Sequence, residues 1–365
     1  MKRRVKEENM AAKVTIQDIA DALGLSRNTV SKAINNTGIL ADATRDRVLK
    51  KAAEMGYKQF SYVSDLVKNE EDLLAQAPSE PREIALLTTK FLGDSHFSST
   101  MLDKFQREIS QLGYSLSMHR VLSYEIRGMR LPVSFNKERT SGIICYEMFD
   151  HDYSQMLCEL DIPILFVDTP VVGFADTLKA DRLYMDNRSG VSEFVREMVR
   201  RGKKNIGFVG EYTHCQSFFE RYMAFRDTMY LLKVPIQEKW CITGNMEVAG
   251  RTGRMQYQEY LEEELDKLSE LPDVFICAND FVAMDLYNAL GEKGYRVPED
   301  VYVCGFDDSP ESRIIQPPLT TIHIHSQIMG YSAVQLLLSR IKDPDLNYRT
   351  VYTETKLIYR RSTED

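Results

Sequence analysis

Apolar residues recur at helical spacing in three short segments between Val14 and Tyr57. In the first segment they occupy positions i, i+3, i+4 and i+7 of a helix: Ile16, Ile19, Ala20 and Leu23. Thr15 and Asp18 stand where a capping box would begin this helix, and Gly24 stands where it would end. The pattern therefore predicts a first, short helix.

Two further helices are predicted after it. Ser26 is a candidate N-cap for the second helix, which continues through Val30 and Ile34. A turn-rich stretch at 35–38 separates it from a third helix that ends at Gly56. The inward-facing residues of this third helix are Val48, Leu49, Ala52 and Met55. Two short helices joined by a Gly-containing turn predict a helix-turn-helix.

From Ile84 onward, strand-like and helix-like patterns alternate. The predicted strands are Glu83–Thr88, Ser115–Arg120, Gly142–Tyr146, Ile164–Val167, Asn205–Val209, Val274–Ala278 and Val301–Gly305. The predicted helices are Met101–Leu112, Gly190–Arg201, Phe218–Leu232 and Phe281–Lys293. This alternation is typical of parallel sheets with helices on both faces, and its length predicts two sheets rather than one.

Composition indicates a soluble protein of two or three compact units. The chain has 365 residues, of which 43% are apolar and 27% charged. It contains no apolar run long enough to span a membrane, and we expect residues 1–13 to be a charged, disordered lead rather than a signal peptide. The six cysteines are spaced like reduced core thiols, which predicts a cytoplasmic protein.

Charge is distributed unevenly along the chain. The net charge is −8, but residues 1–60 hold 12 Lys and Arg against 7 Asp and Glu, a net of +5 that leaves −13 for the rest. A basic head on an acidic body is expected if only the head meets DNA phosphates.

The exposed residues of the second predicted helix suit base reading. Arg27 can bond guanine bidentately, Asn28 can bond adenine, and Lys32 can reach guanine or a phosphate. The polar residues around them suit phosphate contacts or helix capping: Thr15, Ser26, Thr29 and Ser31. Periodicity alone leaves open a generic three-helix bundle with a solvated polar face.

This head resembles the lac-repressor (LacI-type) family. The resemblance is carried by Val14–Ala20, Gly24–Ser31, Asn35, Thr44–Val48 and Gly56-Tyr57. It implies a sequence-specific DNA-binding regulator in which Arg27, Asn28 and Lys32 take the base-reading positions.

Past Tyr57 the sequence departs from the family, which favours a hinge helix that enters the minor groove. The resemblance places Leu66 at the position of the family's intercalating leucine. Asp65 and the acidic stretch after it are unfavourable near phosphates. We therefore assign residues 14–60 to the DNA-binding head and residues 61–83 to a hinge helix and linker.

Residues 84–365 resemble the family's effector-binding and dimerisation domain. The motifs that carry this resemblance are Tyr184–Asn187 with Gly190, Glu220-Arg221, Ala278–Asp280, Gly305–Asp308, Pro317–Ile322 and Leu357–Thr363. They imply a periplasmic-binding-protein-like α/β sensor of two Rossmann-like lobes joined by three crossovers. Lobe 1 would comprise about 84–184 and 325–350, and lobe 2 about 185–322 and 351–365.

Four polar residues stand at strand ends or at the start of a helical segment: Asp168, Asn279, Asp307 and Arg221. Carboxylates, an amide and a guanidinium in one cleft can clamp vicinal hydroxyls, as sugar sites do. The resemblance places Arg221 and Asp307 at ligand positions. His96 and Phe97 lie in the loop after the first strand, where an aromatic ring could stack on the ligand. Ordinary helix capping is the alternative for an Asp or Asn after a strand.

Residues His323–Ser326 differ from the family's usual sequence at this point. We expect the His323 and His325 rings to point to opposite sides, and we predict neither a metal site nor a cofactor.

The predicted function is that of a homodimeric transcriptional regulator of the repressor type, which binds operator DNA and responds to a small effector. A sugar or derivative is favoured as effector, a purine-like ligand is second, and induction or co-repression and a tetramer stay open. The alternative is a solute-binding protein without operator function. An enzyme is not predicted, because the sequence has no phosphate-binding Gly loop, nucleophile elbow or Cys/His metal cluster.

Overall fold

The structure, a computed structural model, describes residues 14–34, 40–57, 82–89, 96–171, 177–244 and 254–364. The chain divides into two compact units, Met1–Ala77 and Pro78–Asp365. The predicted disordered lead and Leu66 lie outside the described residues.

The first unit contains three helices, α1 (Ile16–Leu23), α2 (Arg27–Ile34) and α3 (Asp42–Glu54). Their buried side chains form one small core: Ile19, Ala20, Val30, Ala33, Ile34, Val48, Leu49, Ala52 and Tyr57. The predicted capping box at the start of α1 is confirmed, and the helix ends at Gly24, whose φ of 65° is the left-handed conformation that glycine adopts without strain. The helix-turn-helix that the periodicity predicts is present.

Lobe 1 of the second unit is built on a six-stranded parallel sheet in the order β11-β5-β4-β3-β1-β2. Its strands are β1 (Arg82–Thr88), β2 (Tyr114–Arg120), β3 (Thr140–Tyr146), β4 (Ile164–Val167), β5 (Asp181–Met185) and β11 (Thr350–Thr353). The helices around it are α4 (His96–Gln111), α5 (Ser123–Arg127), α6 (His151–Cys158) and α12 (Ser326–Lys342).

Lobe 2 has a four-stranded parallel sheet in the order β7-β6-β8-β9. Its strands are β6 (Ile206–Val209), β7 (Cys241–Ile242), β8 (Val274–Cys277) and β9 (Tyr302–Cys304). Its helices are α7 (Ser189–Arg200), α8 (Gln216–Leu231), α9 (Arg254–Asp266), α10 (Asp280–Glu292) and α11 (Pro310–Ile314). A separate antiparallel pair joins β10 (Thr321–Ile324) to β12 (Thr355–Ile358).

The chain passes between the lobes three times: after β5, after β10 and after β11. The two-lobed α/β fold is thus confirmed, and each of the seven predicted strands corresponds to an observed one. The predicted boundary at residue 350 differs from the structure. The predicted bounds place Val351–Thr353 in lobe 2, yet the whole strand Thr350–Thr353 pairs with β5 and extends the sheet of lobe 1.

Within the described ranges, no helix is both long enough and apolar enough to cross a membrane. In the same residues, no group of three or more His, Cys, Asp or Glu side chains is arranged to hold a metal ion.

Candidate DNA-binding surface and interlobe cleft

The second helix of the head presents polar side chains outward. Arg27 and Asn28 are exposed in its first turn, and Lys32 is half-buried. Because Asn28 and Lys32 are four residues apart, they lie on the same face of α2. The structure thus places the three predicted base-reading residues on one short helix, with both first-turn side chains open to solvent.

The predicted phosphate-binding hydroxyls also have structural roles. The Ser26 Oγ accepts a hydrogen bond from the Thr29 backbone N–H at 3.0 Å and lies 2.8 Å from the Thr29 Oγ1. Thr15 donates through Oγ1 to the Asp18 carboxylate at 2.8 Å, and this bond lowers the pKa of Asp18. Ser31 is half-buried. Thr15 and Ser26 begin α1 and α2, so any DNA contact through them would use atoms that already cap helices.

Arg221 occupies the second turn of α8 and is only 3% exposed. Its Nη1 donates to the backbone oxygen of Ala278 at 2.7 Å, and its Nε donates to the Asn187 Oδ1 at 3.0 Å. Its guanidinium carbon lies 3.5 Å from the centre of the Phe306 ring. Hydrogen bonds and a cation–π contact therefore fix this guanidinium at the carboxyl ends of β8 and β9.

Asp307 lies beside it, with Oδ1 3.8 Å from the Arg221 Nη1. Its φ of 117° is a conformation that non-glycine residues rarely adopt. Burial raises the pKa of Asp307, Arg221 lowers it, and Glu147 of lobe 1 raises it again. Glu147 and Asp307 thus act on each other electrostatically from opposite lobes.

Asp168, at the end of β4, bonds across the lobes. Its Oδ1 accepts from the Thr169 N–H at 2.8 Å and from the Ser217 N–H at 3.2 Å. Burial raises the pKa of Asp168, although both hydrogen bonds oppose the shift. An edge-to-face contact of Phe149 with His214, at 5.1 Å between ring centres, also joins the lobes. The cleft thus combines carboxylates, a fixed guanidinium and aromatic rings, which suits a hydroxylated ligand.

Three other predicted cleft residues lie at the starts of helices. Asn279 follows a strand as predicted, and the structure shows the capping that was its alternative role. Asn279 caps α10, since its Oδ1 accepts from the Val282 N–H at 2.9 Å. His96 and Phe97 do not lie in a loop but in the first turn of α4. Phe97 is half-buried 6.3 Å from the Tyr146 ring, and the His96 side chain lies outside the described part.

The expectation that the His323 and His325 rings point to opposite sides is wrong. The rings of His323 and His325 meet edge to face at 4.9 Å. His323 lies in β10 and His325 directly follows this strand, and side chains two residues apart in an extended chain share a face. The His323 Nδ1 lies 2.9 Å from the Asp308 Oδ2, so this imidazole belongs to a buried polar cluster.

Three residues that are hydrogen-bonded at the junction of the two lobes are not among the predicted site residues: Asn187, Glu220 and Tyr352. Asn187 and Glu220 lie in two motifs that carry the family resemblance, but no role followed from their sequence positions. Their partners are distant in sequence, so only the folded structure shows their bonds.

Comparisons with known proteins agree with this architecture. Residues 15–59 match the family described as bacterial regulatory proteins, lacI family, and residues 195–363 match a periplasmic binding protein-like domain. The chain is 26% identical over 355 residues to the HTH-type transcriptional repressor PurR of Actinobacillus pleuropneumoniae serotype 3 (strain JL03), covering 96% of this chain and 98% of that relative. The PurR repressor of Vibrio parahaemolyticus serotype O3:K6 (strain RIMD 2210633) is 25% identical over 352 residues, with the same two shares.

Solved structures share the fold. A complex of the transcriptional regulator CelR with cellobiose has a TM-score of 0.65 at 21% identity, over 96% of this chain and all of that one. A lac repressor dimer bound to operator and the anti-inducer ONPF has a TM-score of 0.63 at 21% identity, over 97% of this chain and all of that one. The chain therefore combines a helix-turn-helix DNA-binding head that matches the lacI family of bacterial regulatory proteins with a periplasmic-binding-protein-like domain that follows it in sequence.

Proposed function

We propose that this regulator is a repressor that binds an operator through α2 and that a small effector in the interlobe cleft controls its affinity for DNA. The observation that carries the DNA-binding part is the pair Arg27 and Asn28, both exposed in the first turn of the helix-turn-helix recognition helix. In this fold the N-terminal residues of the second helix reach base edges in the major groove. PurR repressors among the relatives support repression rather than activation.

In this proposal Arg27, Asn28 and Lys32 read bases. The hydroxyls of the predicted set would bond phosphates: Thr15, Ser26, Thr29 and Ser31. Leu66 stays a prediction for the minor groove. A homodimer would present two such helices to half-sites about 34 Å apart, and the operator-bound lac repressor dimer supports this arrangement by its fold.

A sugar or sugar derivative is the effector class that the cleft chemistry favours. Asp168, Arg221 and Asp307 would bond hydroxyls, and the nearby aromatic rings would cover the ligand's apolar face. A purine is the second candidate because curated repressors similar to this chain are named PurR. A purine would stack on the same rings and use the same carboxylates for its ring N–H groups.

The DNA-binding part is tested with the full chain. A DNA site is first selected from random duplexes with the wild-type protein, and its affinity is then measured by gel-shift titration. We expect Arg27→Ala with Asn28→Ala to lose about 1–3 kcal/mol per base contact. Arg296→Ala, an exposed arginine of lobe 2 whose removal changes the charge by the same amount, is the control and should bind normally. Unchanged affinity of the double variant would refute the assignment of α2.

The effector is sought by thermal-shift screening of the wild-type chain against monosaccharides, disaccharides, nucleobases and nucleosides. A ligand present at 100 times its Kd adds about 2.7 kcal/mol to the stability of the folded state. A sugar that raises Tm supports the first class, and a purine that does so supports the second. If neither class raises Tm, both effector assignments are wrong.

A further inference from the structure

A buried chain of polar side chains runs from Glu220 through Asn187 to Arg221. The Glu220 carboxylate is 7% exposed, and its Oε2 accepts from the Asn187 Nδ2 at 3.0 Å. Asn187 is fully buried, and its Oδ1 accepts from the Arg221 Nε at 3.0 Å. The other oxygen of Glu220 accepts from the Gln216 Nε2 at 3.0 Å and from the Tyr352 hydroxyl at 2.8 Å.

The hydrogen bonds between these three side chains all run in one direction, from Arg221 through Asn187 to Glu220. A carboxylate only accepts and a guanidinium only donates, so the amide between them must turn its N–H to Glu220 and its oxygen to Arg221. If the Asn187 amide were reversed, its oxygen would face the Glu220 carboxylate and its N–H groups would face the Arg221 guanidinium, so neither hydrogen bond could form. The buried charges of Glu220 and Arg221 are thus joined through one amide, and each requires the other in place.

These residues come from different parts of the second unit. Glu220 and Arg221 lie on α8 of lobe 2, Asn187 lies on the first crossover, and Tyr352 lies on β11 next to the third. The Tyr352 ring stacks on Tyr184 of β5 at 5.3 Å. The hydrogen bond from Tyr352 to Glu220 therefore ties the sheet of lobe 1 to a helix of lobe 2.

The first turn of α8 also bonds lobe 1 directly. The Gln216 backbone N–H donates to the Thr169 oxygen at 2.9 Å, and the Ser217 N–H donates to Asp168 at 3.2 Å. Because these amides precede Glu220 by one helical turn, any displacement of α8 breaks them. Their protection from solvent exchange reports whether the lobes are closed.

We propose that Glu220 and Asn187 are positioning residues that hold α8 against lobe 1, so that closure of the cleft and the placement of Arg221 change together. The inference rests on the proposed function in one respect, since Arg221 matters to the regulator as an effector-facing group. Loss of the Glu220 bonds would loosen α8 against lobe 1 and weaken one of the hydrogen bonds that fix the guanidinium.

The test is hydrogen–deuterium exchange of the full-length protein, read by mass spectrometry at Gln216 and Ser217. Asn187→Asp places a second carboxylate against Glu220, so one of the two must move away or take up a proton. We expect exchange at Gln216 and Ser217 to rise at least about tenfold. Exchange at Ile143, whose N–H bonds the Pro163 oxygen inside lobe 1, should stay unchanged.

Adding Glu220→Gln to Asn187→Asp supplies the rescue. The amide introduced at position 220 can donate to the carboxylate introduced at position 187 and still accept from Tyr352. The introduced carboxylate accepts in turn from Arg221, so the polar groups of the chain keep partners and the total charge is that of the wild type. We expect exchange at Gln216 and Ser217 to return to within about threefold of wild type.

Tyr352→Phe removes only the hydroxyl tie from a half-exposed ring, which keeps the test valid if Asn187→Asp folds poorly. We expect a smaller rise at the same two amides and none at Ile143. A double variant as fast as Asn187→Asp, or a Tyr352→Phe protein with wild-type exchange at Gln216 and Ser217, would overturn the proposal. No effector is added, so these outcomes do not depend on the thermal-shift screen.

Discussion

The proposed DNA-reading face of the head and the interlobe cleft use their polar side chains in opposite ways. Arg27 and Asn28 are exposed, and in the residues that the structure describes no hydrogen bond or ion pair engages their side chains. Arg221 is buried, with hydrogen bonds to Asn187 and Ala278. In the head, the proposed recognition residues contribute little to folding, whereas Arg221, the proposed ligand contact in the cleft, is held by bonds that also stabilise the fold.

The largest effect expected from this difference is on the free energy of unfolding. Arg221→Leu leaves the Asn187 Oδ1 and the Ala278 oxygen without their donor and leaves Asp307 without its nearest cation. We expect a loss of about 3–5 kcal/mol, as when one partner of a buried charged group is removed. Arg27→Ala should change stability by less than about 0.5 kcal/mol.

Urea unfolding of the full chain at pH 7 measures both variants. Trp240 fluorescence reports Arg221→Leu, because the single tryptophan is buried in lobe 2, and amide exchange in α2 at increasing urea reports Arg27→Ala in the head. Arg221→Lys keeps the charge but not the forked donors, and its loss should be intermediate. Equal losses for Arg221→Leu and Arg27→Ala would show that the contrast between the two regions is false.

The same difference explains why the sequence predicts the helices and caps of the head but not the hydrogen bonds of the cleft. The head's helices, its capping box and the Ser26 cap follow from residues within four positions of each other, which a local pattern displays. The cleft depends on bonds between distant residues, such as Tyr352 to Glu220 and Asn187 to Arg221. Nothing in the local pattern around these four residues indicates those partners.

Some elements of the lobes escaped prediction for a related reason. Helix α12 (Ser326–Lys342) is buried on nearly all sides, so it has no polar face and no helical period to detect. Strand β7 (Cys241–Ile242) is too short to show alternation. The position of β11 depends on which strand pairs with it, and that choice is made by the tertiary fold.

Two adjacent aspartates sharpen the comparison within the cleft region. Burial raises the pKa of Asp308, but hydrogen bonds from His323, Arg313 and Arg360 outweigh burial and hold that pKa at about 2. Burial instead raises the pKa of Asp307. Arg221, whose Nη1 lies 3.8 Å from the Asp307 Oδ1, lowers this pKa but does not offset the effect of burial. The pKa values of these two adjacent carboxylates thus shift in opposite directions because only Asp308 receives strong hydrogen bonds from the fold.

Their asparagine variants should therefore have opposite pH dependence. The folded-state pKa of Asp308 lies below its unfolded value of 3.8, so its stabilising contribution is complete above about pH 5 and is lost as pH falls toward 2. Asp308→Asn should cost about 2 kcal/mol at pH 7 and progressively less below pH 4. Asp307 has its folded-state pKa raised, so its carboxylate lowers stability as pH rises, and Asp307→Asn should gain at least about 1 kcal/mol relative to wild type between pH 5 and pH 8.

Urea unfolding from pH 3 to pH 8 checks both signs on the same protein. Wild type supplies the reference at every pH, and the two variants differ only in which adjacent side chain is neutral. If the stability of Asp307→Asn and of Asp308→Asn relative to wild type changed with pH in the same direction, the claim that only Asp308 is stabilised by hydrogen-bond donors would be contradicted.

A smaller loss of stability is expected in the head, at Ser26, where capping and the proposed phosphate contact coincide. Ser26→Ala removes the acceptor for the Thr29 N–H and should cost about 1 kcal/mol of helix stability, measured as faster amide exchange in α2 of the full chain. Ser26→Asp keeps a capping oxygen but places a negative charge where a phosphate would bind. It should therefore retain the exchange protection of α2 while losing affinity for the selected DNA site. If Ser26→Asp binds DNA like the wild type, Ser26 is only a cap, and the head's recognition residues are then separate from the bonds that fold it.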